Sequence, residues 1–333
     1  MNEQIDSLSL LTLKCAPNIF DVSSRMGNVS IRDQIVRSTQ LVRDLKNADP
    51  KCDEILIVGA GFAGVAAALQ AAESSVKAYV LDINSAPFSQ QAKCHSRYVG
   101  PFMYEWPASY CGDQHYPPRG WPSDQKGWDK ASLQLGWISS MPMEASQLAS
   151  DCKEWLSNKI SGWSSGPHLH LPKPTFLTDV SAEKISEYVY QFKEGRAQSK
   201  SIVGVDWPLL GVEVDCKVEP KYIIFAAGMG DEYVKIPPSV AGKPFWCEDS
   251  LRAPTSANSE IGVFGGGDGA LQDFLRATTE SPRVLRRLLN LRNWSHDEYD
   301  KDNQDKIFTG IARARRAAGV RATQRIRLAL GHC

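Results

Sequence analysis

The hydrophobic positions of the chain fall into short continuous runs and into longer stretches with helical spacing. The runs are rich in β-branched residues, as in strands that are buried on both faces of a parallel sheet. Strands are predicted at 54–58, 78–81, 221–230 and 260–264. Helices are predicted at 31–46, 65–72, 144–159, 181–193 and 271–277. Strands that alternate with helices in this way indicate an α/β fold built on a parallel sheet.

The first predicted strand leads directly into a glycine-rich turn, GAGFAG at 59–64, and an alanine-rich helix follows. Gly59 permits a tight turn, Gly61 lets a pyrophosphate approach the backbone, and Gly64 lets the helix pack closely on the strand. The free N–H groups at the helix N-terminus can bind phosphate. Asp82 ends the next strand, where a carboxylate can accept hydrogen bonds from an adenosine ribose. Together these features predict a dinucleotide site.

The composition is that of an ordinary globular protein. The chain has 333 residues, 42% of them hydrophobic, and its 38 basic side chains balance its 38 acidic ones. No apolar run approaches the length of about 20 residues that a membrane helix needs, and the N-terminal residues do not follow the pattern of a signal peptide. We therefore expect a cytoplasmic protein of one large or two modest domains, with no membrane partner.

The eight cysteines are scattered and include no CxxC pair. This spacing argues against a zinc ribbon and against an adjacent dithiol redox centre. We expect reduced thiols and no metal site.

A segment rich in tryptophan and proline lies between the predicted strands. Six of the nine tryptophans fall between Trp106 and Trp163, and five prolines fall between Pro101 and Pro122. One interpretation is irregular chain packed over a ligand or a domain junction. The other is a set of aromatic side chains that fill a core beneath a long connection.

Two features occur towards the C-terminus. A second strand–glycine–helix turn, GGGDGA, has the spacing G-x-G-x-x-A at Gly265, Gly267 and Ala270. Residues 306–333 hold one lysine and six arginines but no acidic residue. Such a basic tail is suited to nucleic acid or to an acidic partner, and the plainer alternative is a terminal helix.

Three of these segments resemble the FAD-dependent oxidoreductases of the glutathione reductase-like, two-dinucleotide class. ILIVGAGFAGVAAAL with Asp82 matches the FAD fingerprint of that class, and YIIFAAGMGDEYVKIPP looks like its strand with a small-residue turn at Gly228. GVFGGGDGALQDF is similar to the nicotinamide-nucleotide turn of thioredoxin reductase-like enzymes. With RYVGPFMYEWP, the pattern also looks like a group of little-characterised bacterial FAD-dependent oxidoreductases.

The resemblance implies an extended FAD, with NADH or NADPH as a further cofactor if the second turn binds a nicotinamide nucleotide. Alternatively, Asp268 of that turn contacts the ribityl chain of the FAD itself. The sequence departs from thioredoxin reductase, because Cys247 stands alone where a dithiol is expected. The cofactor-binding residues implied are Gly59, Ala60, Gly61, Phe62, Ala63, Gly64, Asp82, Ile83, Ala227, Gly228, Gly265, Gly267, Asp268 and Ala270.

A flavin performs the redox step itself, while the protein orients it and excludes water. The candidate catalytic residues, expected around the flavin ring, are Arg97, Tyr104, Glu105 and Trp106, because this polar and aromatic cluster follows Asp82 closely. Arg97 can stabilise a reduced, anionic flavin or a substrate carboxylate, and the alternative is a surface arginine. Catalysis by Cys94 or Cys111 is the weaker alternative to buried, inert thiols.

The predicted fold is therefore α/β, with a Rossmann-like FAD/NAD(P)-binding parallel sheet, helices on both faces and the Trp/Pro-rich middle region. The predicted division is a helical extension at 1–50, an FAD domain at 51–94 and 216–290, a middle substrate or cover region at 95–215, and a charged helical tail at 291–333. The expected function is an FAD-dependent oxidoreductase acting on a small molecule, as a monooxygenase, oxidase or reductase. The alternative is a non-catalytic dinucleotide-binding sensor or regulatory subunit, and a homodimer remains open.

Overall fold

The computed structural model describes residues 8–23, 31–99, 143–163, 169–209, 211–228, 235–236, 240–241, 243–249, 251, 272–274 and 276–277. Most of the Trp/Pro-rich segment, the predicted strand 260–264 and the basic tail lie outside these residues. Residues 272–274 and 276–277 are helical, as expected for the helix predicted at 271–277.

Six helices and twelve strands are found in the described residues. The helices are α1 (Leu8–Thr12), α2 (Ile31–Ala48), α3 (Phe62–Glu73), α4 (Ser89–Ala92), α5 (Ala145–Gly162) and α6 (Ala182–Lys193). The first six strands are β1 (Lys14–Ala16), β2 (Ile19–Asp21), β3 (Glu54–Val58), β4 (Lys77–Leu81), β5 (Tyr98–Val99) and β6 (Met143–Glu144). The others are β7 (Thr175–Thr178), β8 (Lys200–Trp207), β9 (Glu213–Val218), β10 (Tyr222–Phe225), β11 (Lys235–Ile236) and β12 (Val240–Ala241).

Eight of the strands form one sheet in the order β1-β2-β10-β3-β4-β7-β8-β9. The five strands from β2 to β7 are parallel to their neighbours, and β1, β8 and β9 pair in antiparallel fashion. The α/β fold with a mostly parallel sheet is therefore confirmed. β5 pairs with β6, and β11 with β12, as two separate short ribbons.

The alternation of side chains along the strands explains why helices flank both faces of this sheet. Ile55 and Ile57 of β3 point to the face that packs against α2, α3 and α5. Leu56 of β3 and Leu177 of β7 point to the opposite face, where Tyr188 of α6 is buried with them. Each strand in the centre of the sheet therefore has two apolar faces, which is why these strands appear in the sequence as continuous hydrophobic runs.

The β8–β9 hairpin curls over the face that α6 also covers. The hydroxyl of Tyr79 on β4 donates a hydrogen bond to the carbonyl oxygen of Lys217 on β9, at 3.2 Å. Two strands, β7 and β8, separate β4 from β9 in the sheet, so a flat sheet would hold these residues too far apart.

The sheet takes strands from two segments that the domain division placed outside it. β1 and β2 come from the predicted extension at 1–50, and β7 and β8 come from the predicted middle region at 95–215. β2 has three residues, which is too few for the alternation of apolar and polar side chains to identify a strand. In β8, Gly204 interrupts the hydrophobic pattern of the sequence but not the strand, and a Cβ atom there would lie 2.8 Å from the side chain of Val180. The division into domains stays a prediction.

Within the described ranges, no helix combines the length and the apolar character that a membrane crossing requires.

Candidate functional site

The glycine-rich turn joins the end of β3 to α3 and is packed between the ends of β4 and β10. The N–H of Gly59 donates to the carbonyl oxygen of Leu81 at 2.7 Å. Gly59 has φ +108°, and a Cβ atom there would lie 2.5 Å from the carbonyl oxygen of Ala226. Both the left-handed backbone and the contact with β10 therefore require glycine at this position.

The other two glycines of the motif differ from each other. A Cβ atom on Gly64 would lie 1.8 Å from the carbonyl oxygen of Gly59, so the first turn of α3 touches the loop that precedes it. Gly61 has φ −76°, which any residue adopts, and no heavy atom of the described residues lies within 4 Å of the Cβ position. The space beside Gly61 is therefore open.

The N-terminus of α3 faces this open space without a cap. The first hydrogen bond of the helix runs from the N–H of Val65 to the carbonyl oxygen of Gly61, at 2.9 Å. No side chain caps the helix at Gly61. The N–H groups of residues 62–64 consequently have no partner within the helix, and together with the helix dipole they favour an anionic group.

Asp82 follows β4, as the sequence predicts, and it is half-buried. One carboxylate oxygen, Oδ2, accepts a hydrogen bond from the N–H of Ala60 at 2.6 Å. The other, Oδ1, accepts from the backbone N–H of Asn84 at 2.7 Å and from its side-chain amide at 2.8 Å. The carboxylate therefore ties the glycine turn to β4, and Oδ2 keeps one lone pair for a further donor.

The turn-holding role of Asp82 was not predicted. In an Asx turn, an aspartate side chain accepts a hydrogen bond from the backbone N–H of the residue two positions later. The D-x-N spacing could therefore have indicated the bonds to Asn84. The bond to Ala60 joins residues 22 positions apart, and no sequence pattern indicates it.

The order of the strands places the predicted cofactor residues in a row. β4, β3 and β10 are neighbours and parallel, so their carboxyl ends meet at one edge of the sheet. Asp82 follows β4, Gly61 follows β3, and Gly228 with φ +80° follows β10. Ile83 beside Asp82 is 60% exposed, which is unusual for a large apolar side chain next to a buried strand.

The chain after β4 returns over the glycine turn. The N–H of Phe88 donates to the carbonyl oxygen of Ala60 at 3.0 Å, and the Phe88 ring lies 4.8 Å from that of Phe62 between centroids. Phe88 has the left-handed φ of +59° and precedes α4. The peptide groups on both sides of Ala60 are thus fixed, by Asp82 and by Phe88.

Arg97 lies in a buried cluster of charges. Its side chain is 3% exposed, and Nη1 lies 2.7 Å from a carboxylate oxygen of Asp249 and 2.7 Å from one of Asp273. Its Nε donates to the carbonyl oxygen of Phe245 at 2.8 Å, and the guanidinium lies over the Phe245 ring. The prediction of a surface arginine as the alternative role is therefore wrong, and the catalytic role stays a prediction.

Two residues that the sequence did not point to complete this cluster. Arg276 binds Asp249 through both Nη atoms, at 2.6 and 3.0 Å, and reaches Asp273 at 3.1 Å. The buried amide of Gln272 accepts from the N–H of Tyr98 at 2.8 Å and donates to its carbonyl oxygen at 2.7 Å. The segment around 272–276 is thereby fixed to β5, and no spacing in the sequence indicates contacts of this range.

Of the remaining predicted site residues, Ala227 follows β10 and is exposed. The residues that lie outside the described residues are Tyr104, Glu105, Trp106, Gly265, Gly267, Asp268 and Ala270.

Cys94, the described one of the two cysteines considered for catalysis, is buried. Burial raises the pKa of the Cys94 thiol, so the nucleophilic thiolate is disfavoured. Cys111 lies outside the described residues. In the part of the chain that the structure covers, no three His, Cys, Asp or Glu residues are grouped so that they could hold a metal ion.

Comparison of the chain with models of known protein families, with curated proteins and with solved structures finds no match. The resemblance to FAD-dependent oxidoreductases therefore rests on the sequence motifs. The geometry of the chain's own residues must carry the functional conclusion.

Proposed function

We propose that the protein is an FAD-dependent oxidoreductase that acts on a small molecule, and that its parallel sheet is a Rossmann-like FAD-binding domain. The observation that carries this proposal is the open space at Gly61. Gly59 and Gly64 are glycines because backbone atoms occupy the positions of their Cβ atoms. At Gly61 neither the backbone angle nor a described neighbour requires glycine. A group outside the chain that approaches the backbone explains it, and a pyrophosphate at a helix N-terminus is such a group.

The neighbours of Gly61 fit the two ends of an adenine dinucleotide. The free lone pair on Oδ2 of Asp82 can accept a hydrogen bond from a ribose hydroxyl. The exposed side chain of Ile83 offers an apolar surface for adenine at the same edge. On the other side of Gly61, the exposed Ala227 and the left-handed Gly228 leave room for the rest of the cofactor. The row of sites thus runs from β4 across β3 to β10.

FAD supplies the redox chemistry when it is bound, since its ring accepts and donates electrons. The contribution of this chain is to hold it. The N–H groups at the start of α3 bind the negative pyrophosphate, Asp82 orients the ribose, and the segment around Phe88 keeps the glycine turn rigid. The candidates for the surroundings of the ring stay those predicted from the sequence, and Tyr104, Glu105 and Trp106 among them lie outside the described residues.

The first experiment is an absorption spectrum of the purified protein, with and without added FAD, followed by anaerobic addition of NADH and NADPH. We expect the two visible and near-ultraviolet bands of a bound flavin. Bleaching by a nicotinamide nucleotide indicates a reductase or a monooxygenase, whereas bands that persist indicate an oxidase. A protein that binds NAD but no FAD contradicts the proposal and favours a non-catalytic sensor.

A pair of glycine variants tests the observation itself. Gly61→Ala places a methyl group in the open space, so we expect a folded protein whose affinity for FAD falls about tenfold or more, a change of about 1.4 kcal/mol. Gly162→Ala is the matched control, because Gly162 ends α5 and likewise has no described heavy atom within 4 Å of its Cβ position. Equal FAD affinities in the two variants, measured by fluorescence titration, would remove the support that Gly61 gives.

A further inference from the structure

Gln90 lies close to Gly228, one of the three predicted cofactor residues at the carboxyl ends of β4, β3 and β10. It lies in α4, the short helix that starts directly after Phe88. The hydrogen bond from Phe88 to Ala60 and the ring contact with Phe62 hold the start of this helix against the glycine turn. Phe88 has a left-handed backbone where α4 begins.

The two consecutive glutamines of α4 differ in exposure. Gln91 is 5% exposed and belongs to the buried interior. Gln90 is exposed, and its Oε1 lies 4.0 Å from the position that a Cβ atom on Gly228 would occupy. The side chain of Gln90 therefore extends from the loop that follows β4 to the turn that follows β10.

This position lies on one side of the predicted pyrophosphate site. In the sheet, β3 with Gly61 stands between β4 with Asp82 and β10 with Gly228. If the adenine ribose lies at Asp82 and the pyrophosphate at Gly61, the next part of the cofactor lies at Gly228, beside Gln90. In FAD that part is a chain of hydroxyl groups, and each hydroxyl both donates and accepts hydrogen bonds.

The chemistry of the side chain suits hydroxyl groups. A neutral amide offers two donors and one acceptor group, so it can pair with hydroxyls of either orientation. No hydrogen bond joins the Gln90 amide to another group among the described residues, in contrast to the amides of Gln70, Gln147 and Gln272.

We propose that Gln90 binds the hydroxyl-bearing chain of the cofactor between its pyrophosphate and its ring. This inference rests on the proposed function, because it requires that the site takes FAD. Gln90 then helps to set the distance between the ring and the glycine turn, and it determines specificity for a cofactor with hydroxyls at this point.

Two variants of Gln90 separate hydrogen bonding from charge. Gln90→Ala removes the amide, and we expect the affinity for FAD to fall about five- to tenfold, as for the loss of one or two hydrogen bonds. Gln90→Glu keeps the size but adds a negative charge next to the pyrophosphate. We expect it to weaken FAD binding more than Gln90→Ala does, and less so at high salt.

Gln147→Ala is the control, since Gln147 is an exposed helical glutamine of α5 whose bond among the described residues is to Asp151 on the same helix. Affinity is measured by fluorescence titration, together with the flavin absorption spectrum and the thermal unfolding temperature of the FAD-free protein. A residue that merely holds α4 in place would change the unfolding temperature and leave the spectrum unaltered.

The outcomes distinguish the two proposals. If the unaltered protein binds no FAD, the proposed function itself fails. If it binds FAD, and the Gln90 variants match Gln147→Ala in affinity and spectrum, the role of Gln90 is wrong while the proposed function stands. A loss of affinity with an altered spectrum, at an unchanged unfolding temperature of the FAD-free protein, supports the role of Gln90.

Discussion

The charge cluster around Arg97 allows a direct test of whether this residue is structural. Arg97→Met keeps most of the apolar length of the side chain but removes its charge and its donors. Two carboxylates, each 2.7 Å from Nη1, lose a cation, and the carbonyl oxygen of Phe245 loses its donor. We therefore expect the free energy of unfolding to fall.

The size of the effect follows from the burial of the partners. Removal of one member of a fully buried ion pair destabilises a protein by about 3–5 kcal/mol. Here the side chains of Asp249 and Asp273 are 12% and 24% exposed, so water screens part of their charge. Arg276 also stays in contact with both carboxylates. We therefore expect a loss of about 2–3 kcal/mol, below the fully buried case.

Urea unfolding followed by tryptophan fluorescence measures this loss as a lower midpoint at an unchanged slope. Arg196→Met serves as the control, because Arg196 is exposed and follows α6; its effect should stay within about 0.5 kcal/mol. If Arg97→Met is as stable as this control yet loses flavin turnover, the reasoning is refuted and the catalytic role predicted from the sequence is favoured instead.

A double variant strengthens the test. In Arg97→Met, Arg276 still contacts both aspartates. In Arg276→Met, Arg97 still contacts both of them. The variant that lacks both arginines removes both cations that the described residues place beside these two carboxylates. Its loss of stability should therefore exceed the sum of the single losses by about 1 kcal/mol or more, and simple additivity would show that the two arginines do not share their partners.

Three further predictions concern packing, reactivity and pH. Gly64→Ala forces a methyl group to within 1.8 Å of a carbonyl oxygen, so we expect a loss of more than about 4 kcal/mol, seen as insoluble or unfolded protein by circular dichroism. Burial raises the pKa of the Cys52 thiol to about 11, so iodoacetamide at a pH of about 8 should modify the exposed Cys247 faster than the buried Cys52 in peptide mapping; equal rates at these two cysteines would contradict this. The ammonium of Lys221, 2.5 Å from the Asp49 carboxylate, lowers the pKa of Asp49 below its usual 3.8. The stabilisation is present above that usual value and is lost as the pH falls through the folded-state pKa, so Asp49→Asn should destabilise the protein at neutral pH but not in strong acid, as measured by unfolding across a pH series.

The central part of the fold could be predicted from the sequence because its signals are local. β3 is a run of five residues with one partly and four fully buried side chains, and its predicted bounds match. α5 and α6 begin one residue after their predicted starts. α3 begins three residues earlier than predicted, at Phe62, because the last glycine of the turn is already helical.

The edges of the sheet could not be predicted, since their stability comes from contacts that are distant in sequence. β2 has three residues and is defined by its pairing with β10, about 200 positions later in the chain. β9 has alternating exposed and half-buried side chains, because the hairpin is curled over the sheet and one of its faces meets solvent. A pattern of this kind is as compatible with a surface loop as with a strand.

The sequence indicated which residues form the glycine turn, but not which of them are required by contacts within the chain. The spacing of three glycines and an acid indicated a dinucleotide turn, and the structure brings all four to one edge of the sheet. That Gly59 and Gly64 are required by internal contacts, whereas Gly61 is not, depends on where β10 and α3 pack. The charge cluster of Arg97 joins segments that no motif connects.

The internal hydrogen bonds of Asp82 decide which variants can test the proposed site. Its carboxylate accepts a hydrogen bond from Ala60 and two from Asn84, so Asp82→Asn or Asp82→Ala disturbs the glycine turn as well as any bound ribose. A loss of FAD binding in those variants would follow from either cause, and Gly59 and Gly64 variants carry the same ambiguity. Gly61 and Gln90 lack internal contacts of this kind among the described residues. Changes at these two positions can therefore alter binding while the fold is preserved, and the proposed function should be tested there first.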